Sequence, residues 1–180
     1  MVSQLVERIR QKDQRAMRQF YQQYVEELSS VCYRYVPSNE DAKDVLQNSF
    51  VKIFTLIPTM EYRGEEPFRS WIKRVVANEA LCYLKQRKML KFVEQDVADL
   101  ELSDDEEPQS ERLSPDELHR LISELPHSYR TVLNLFVFEG YSHRQIGELL
   151  GISDSTSASQ YYHAKKLLAK KIKDLTKNKR

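Results

Sequence analysis

Glycine, proline and cysteine are all scarce in this chain, whose 180 residues hold four, six and two of them respectively. So few glycines and prolines leave little of the punctuation that turn-rich β folds need. Leu, Ala, Glu, Lys, Gln and Arg, plentiful here, favour helix instead, so the composition predicts an all-α protein. Cys32 and Cys82 stand fifty positions apart with no CxxC pair and no histidine at ligand spacing, which speaks against a disulfide framework and a zinc site. Both fall on apolar faces of the helices read below, so buried, reduced thiols are expected. No apolar run approaches the roughly 18 residues of a membrane span. The N-terminal MVSQLVERIRQKDQ is amphipathic and charged from its start, unlike a secretory leader. A cytoplasmic protein is expected. Glycine-rich phosphate loops, nucleophile elbows and metal-ligand spacings are missing too, and the carboxylates cluster where nothing would hold them in a fixed geometry. The expectation is a protein that is not an enzyme and needs no cofactor.

What the chain does have is charge in blocks. The formal net charge is only +1, yet residues 1–92 carry 16 cationic and 11 anionic side chains, residues 93–117 one and 11, and residues 118–180 11 and five. A block as dense in like charge as VEQDVADLELSDDEEPQSERLSPDE repels itself and cannot bury apolar surface. The expected organisation is therefore two small helical domains, 1–92 and 117–180, joined by an acidic flexible linker over 93–116. A linker of this length would average roughly 27 Å end to end as a coil, enough for its domains to grip separate sites.

In the C-terminal block the local signals agree with one another. Ser114-Pro115-Asp116-Glu117 has the order of a helix start, with an N-cap, a first-turn proline and acids at the positive end of the dipole. Leu118, Leu121, Ile122 and Leu125 follow at helical spacing before Pro126. A second helix runs from His127 to Gly140. A third, short one is capped by Ser142 and closed by Gly151, and Ser153 caps a long fourth helix. Short helix, glycine-containing turn and longer helix make a helix-turn-helix, so this is a four-helix domain of that kind. Ser157, Tyr161, Ala164 and Leu168 share one face of the last helix and should pack inward. The opposite face is expected to carry Ser155, Thr156, Ala158, Ser159, Tyr162 and His163 to DNA, followed by a run of lysines suited to phosphates.

The N-terminal block repeats the helical period. Ala16, Phe20, Tyr24, Leu28, Val31 and Tyr35 form one stripe over 15–35, which Pro37 ends. A helix capped by Ser38 or Asn39 places Ala42, Val45, Leu46, Ser49, Phe50, Ile53 and Phe54 inward and Asp41, Asp44, Gln47 and Asn48 outward, an acidic, amide-rich face on a basic domain. IPTMEYRGEEPF reads as a loop. From Arg69 a helix resumes with Trp71, Ile72, Val75 and Val76 inward and Lys73, Arg74 and Asn78 outward. A loop bearing Tyr62 and Arg63 beside a basic helix could stack unpaired bases.

DAKDVLQNSFVKIF, FRSWIKRVVANEALCYLKQRK and ELPHSYRTVLNLFVFEGYSHRQIGELLGISDSTSASQYYHAKKLL together resemble the bacterial extracytoplasmic-function (ECF) sigma factors of the sigma-70 family. These are minimal initiation subunits of RNA polymerase. The resemblance implies that Asp41, Asp44, Gln47 and Phe50 dock on a helical coiled coil of the core polymerase. It implies that Met60 to Glu66, with Tyr62 and Arg63, and Lys73, Arg74 and Asn78 recognise the minus-ten promoter element as it melts. In the second domain, Ala158, Ser159 and Tyr162 would lie nearest the bases of the minus-thirty-five element, while Thr156, Gln160, His163 and Lys165 hold phosphates. The linker would thread the polymerase cleft, and an anti-sigma factor would hold the otherwise monomeric chain inactive.

Some positions depart from the common pattern of such proteins. Asn48 replaces an acid and Cys82 an Asp. SASQYYHAKK stands where VKSRLFRARK is typical, so Ala158 replaces a lysine and Gln160 and His163 replace arginines. If His163 faces phosphate and titrates near pH 6.5, upstream binding should strengthen on acidification. The alternative to a sigma factor is a helix-turn-helix repressor or activator acting without polymerase. No heptad seam or effector pocket supports it in the sequence.

Overall fold

A computed structural model describes residues 1–92 and 113–178, with side chains through Lys177. Most of the expected acidic linker, 93–112, lies outside the described residues. Among those described there are eight α-helices and no strand: α1 (Val2–Arg10), α2 (Gln14–Tyr35), α3 (Asn39–Leu56), α4 (Glu65–Gln86), α5 (Pro115–Ser123), α6 (His127–Val137), α7 (His143–Leu150) and α8 (Asp154–Asn178). They fall into two compact units, Met1–Arg87 and Lys88–Arg180. No described helix is long and apolar enough to cross a membrane.

In the first unit, α2, α3 and α4 pack on one another and α1 packs on α2. The short α1 buries Val2, Leu5, Val6 and Ile9, which recur at helical spacing within the amphipathic N-terminal stretch. Asp13 then caps α2, accepting from the backbone N–H groups of Arg15 (2.8 Å) and Ala16 (3.2 Å). The bond from the Arg8 side chain, above all, holds the Asp13 carboxyl below the usual carboxylate range. An aromatic cluster fills the middle of the unit. Phe20, fully buried, lies 4.8 Å from Tyr24, 5.5 Å from Phe54 and 6.1 Å from both Phe50 and Phe68, ring centre to ring centre. The rings are mostly edge-on or tilted, as their quadrupoles prefer.

This unit departs from what the sequence predicts at two places. The helix expected from Arg69 begins four residues earlier, at Glu65, behind Gly64 at φ 118°. Pro67 is tolerated there because the first N–H groups of a helix have no intrahelical partner to lose. Cys82 is exposed, not on an apolar face, because it lies on the side of α4 turned away from α2 and α3. Cys32 is buried as expected, and burial pushes its thiol up to about 12, so it remains an unreactive thiol.

In the second unit α8 packs against α5, α6 and α7. Capping boxes begin two helices, Ser114 with Glu117 on α5 and Ser142 with Gln145 on α7. The α5–α6 corner is held by the buried Arg130, which donates to the carbonyl of Ser123 (2.6 Å), the last residue of α5 and without an intrahelical donor, and to that of Leu125 (3.0 Å) in the corner itself. Its guanidinium lies 2.6 Å from Nδ1 of His127, which must therefore accept and be neutral. Burial, then the Arg130 charge, lowers His127 below its ordinary range.

Candidate nucleic-acid and polymerase interfaces

The helix-turn-helix is α7, its turn and α8. Gly151 takes the left-handed conformation (φ 72°) and closes α7, so that the carbonyl of Gly147 accepts from both Gly151 N–H (2.8 Å) and Ile152 N–H (3.0 Å). Ser153 then caps α8, accepting from Thr156 N–H at 3.0 Å, with the Ser155 and Thr156 hydroxyls 2.8 and 2.7 Å from its own. The outward face of α8 presents Ser155, Ser159, Tyr162 and Lys165, all exposed, with Thr156 and Ala158 half-buried beside them. Lys166 lies over the Tyr162 ring, 4.8 Å from its centre. Small side chains in the first turns followed by cations are what a helix entering a groove requires: close approach to base edges, then phosphate neutralisation.

Gln160 and His163 do not belong to that face. They are 2% and 5% exposed and turn into the unit, His163 stacking 5.6 Å from Tyr129. Neither can hold a DNA phosphate from there. Burial, then the Lys166 charge, lowers His163 below its ordinary range, so the expected strengthening of DNA binding on acidification loses its basis.

On α3, Asp44, Gln47 and Asn48 are exposed as expected. Phe50 is not a surface group: 4% exposed, it anchors the exposed Tyr21 of α2, 4.7 Å away. Asp41 is half-buried, and the Tyr83 hydroxyl, then Ser38, holds its carboxyl below the usual range. Of the two aspartates on this face, Asp44 is thus the exposed one.

The loop between α3 and α4 holds Tyr62 half-buried against Phe68, 5.8 Å between rings, and an exposed Arg63 paired with Glu61 at 2.7 Å. Arg74 and Asn78 of α4 are exposed, but Lys73 is drawn into a pair with Glu27 of α2 at 2.7 Å, and Arg69 reaches the same carboxylate at 3.0 Å. Burial alone would raise Glu27, but the two cations outweigh it and its carboxyl titrates below the ordinary range. Nothing in the sequence pointed to Glu27, since its partners lie more than 40 positions away. Among the described residues no cluster of His, Cys, Asp and Glu is arranged to hold a metal ion.

Residues 20–89 match the family Sigma-70 region 2 and residues 116–168 match Sigma-70, region 4. The ECF RNA polymerase sigma-E factor of Haemophilus influenzae is 31% identical, with 95% of each chain covered. This chain is an ECF sigma factor of the sigma-70 family. The RNA polymerase sigma-H factor of Pseudomonas aeruginosa is 28% identical over 96% of this sigma factor and 94% of that one. The sigma factor SigV of Bacillus subtilis is 27% identical over 77% and 80%. The fold is shared with CnrH, solved in complex with the cytosolic domain of CnrY, at TM-score 0.51 and 19% identity, covering 94% and 96% of the two chains. The ECF sigma factor described here is accordingly a transcription initiation factor that binds core RNA polymerase and directs promoter-specific initiation.

Proposed function

We propose that three surfaces of this sigma factor divide the work of initiation. Asp44 and Gln47 on α3, with Asp41 beside them and Phe50 as their packed support, dock on a helical coiled coil of the polymerase's largest subunit. The loop Met60 to Glu66 and the α4 residues Lys73, Arg74 and Asn78 take the minus-ten element as it melts. Tyr62 offers a ring to an unpaired base, and Arg63, Lys73 and Arg74 the charge for the strand. Binding energy for the single strand offsets unpairing without ATP. The first turns of α8 enter the major groove of the minus-thirty-five element, Ala158, Ser159 and Tyr162 toward the bases, Thr156 and Lys165 toward phosphates.

The observation that carries this reading is the face of α8, where Ser159, Tyr162 and Lys165 stand exposed behind a capped helix-turn-helix. The two domains are proposed as 1–92 and 117–180, the second extended to its cap at Ser114, with the acidic segment between them threading the polymerase cleft. CnrH was solved with the cytosolic domain of CnrY. By that likeness an anti-sigma factor covering the polymerase-binding surfaces is proposed for this chain, which is otherwise monomeric and works in the cytoplasm.

The test mixes the full chain with bacterial core RNA polymerase and a library of promoter fragments. Co-elution and a specific transcript, both lost on Asp44→Arg, are expected. Tight duplex binding with no polymerase association would overturn the assignment of α3.

A further inference from the structure

Helix α1 lies outside the residues matched to sigma-70 region 2, which begin at 20. It nevertheless reaches the loop that carries Tyr62 and Arg63. The last carbonyls of α3 have no donors within the helix. That of Leu56 is met by the N–H groups of Thr59 and Met60, both at 3.1 Å. Beyond the helix, the carbonyls of Ile57, its C-cap, and of Met60, in the loop, are met from α1: Arg10 donates through Nη2 to the Met60 carbonyl at 2.6 Å and through Nε to the Ile57 carbonyl at 3.4 Å.

A planar guanidinium bridging two carbonyls fixes both their separation and their direction, which one ammonium cannot do. Here it joins the C-cap of α3 to the first residue of the loop. Arg10 is itself held, since the neighbouring Ile9 is 1% exposed and Glu7 accepts from Nη1 at 3.3 Å. At its far end the loop passes through Gly64 at φ 118° into α4, and in its middle Tyr62 leans on Phe68.

We infer that Arg10 is a positioning residue for minus-ten recognition, its guanidinium clamping the Ile57 and Met60 carbonyls so that Tyr62 and Arg63 meet the unpaired strand in one fixed geometry. The inference rests on the reading of the loop given above. Arg10 itself touches no DNA.

The test uses holoenzyme assembled from the full chain and a promoter recovered from the library, with single substitutions across the minus-ten element. The quantity read is discrimination, the transcript from the native element over that from each substituted one. Arg10→Met keeps the apolar stem and removes the clamp. It should lower discrimination about tenfold, the order of one charged hydrogen bond, with polymerase affinity and upstream duplex affinity unchanged. Arg10→Lys, able to meet one carbonyl, should restore part of it. Tyr62→Ala serves as the reference. If it lowers discrimination while Arg10→Met does not, Arg10 has no positioning role. If Tyr62→Ala has no effect, the reading of the loop fails and the inference falls with it. Should Arg10→Met not fold, Arg10→Lys decides: discrimination between wild type and Tyr62→Ala supports the clamp, and wild-type discrimination overturns it.

Discussion

His163 illustrates how far one residue's role depends on which way its helix is turned. Its Nε2 is buried with no hydrogen-bond partner among the described residues, and its ring stacks on Tyr129. A proton there would be unsolvated and close to Lys166, so the native state keeps His163 neutral to lower pH than the unfolded chain does. Between the lowered native value and about 6.5 the unfolded state binds more protons, so stability is full above pH 6.5 and declines as pH falls through that window. His127 acts in the same direction. The urea midpoint of the full chain should therefore drop between pH 7.5 and pH 5.5. The drop should be smaller in His163→Phe, which keeps a ring against Tyr129 and cannot titrate. Equal drops in both proteins would mean that His163 titrates alike folded and unfolded.

At the scale of an element, the turn between α7 and α8 depends on Gly151 for its left-handed backbone and on Gly147 for room. A Cβ on Gly147 would stand 2.7 Å from the Ile152 carbonyl and 3.3 Å from an Asp154 carboxylate oxygen, whereas one on Gly151 meets nothing within 4 Å. Replacing a helical glycine by alanine ordinarily gains up to about 1 kcal/mol. Here the carbonyl is fixed backbone, so Gly147→Ala should instead destabilise by about 1–3 kcal/mol, as overpacked sites do. By tilting α8 against α7 it should also weaken upstream duplex binding. Thermal denaturation and a binding titration on the same variant check this, and a stabilised protein with normal affinity would show that the turn can relax.

At the scale of the whole chain, the charge blocks set how the free factor meets DNA. Two regions with net charges of +5 and +6 are separated by one of −10. Like charge on DNA and on the middle block disfavours indiscriminate binding, and the effect is screened by salt. Neutralising Asp104, Asp105, Glu106 and Glu107 together, as Asn and Gln, should tighten binding of the free chain to arbitrary duplex DNA severalfold at low salt. The gain should disappear as salt is raised. Unchanged affinity at low salt would mean that the middle block does not influence approach to DNA.

The helices from α2 to α8, apart from the start of α4, the N-caps at Ser114 and Ser142 and the helix-turn-helix were legible in the sequence. They rest on apolar spacing, caps and glycines acting within a few residues of one another. So was the exposed set Asp44, Gln47 and Asn48, because α3 is packed from one side only. The Arg10 clamp on the loop and the Glu27 hold on Lys73 and Arg69 were not, since each joins residues more than 40 positions apart and leaves no local pattern. The true width of the buried face of α8 was also hidden. The stripe Ser157, Tyr161, Ala164 and Leu168 was correct, but α8 lies against α5, α6 and α7 together, so its covered face is wider than that stripe and Gln160 and His163 are drawn inside. Local spacing determines that a helix forms and where its stripe is centred. How many neighbours cover it, and which charges meet across them, is decided only when distant segments pack.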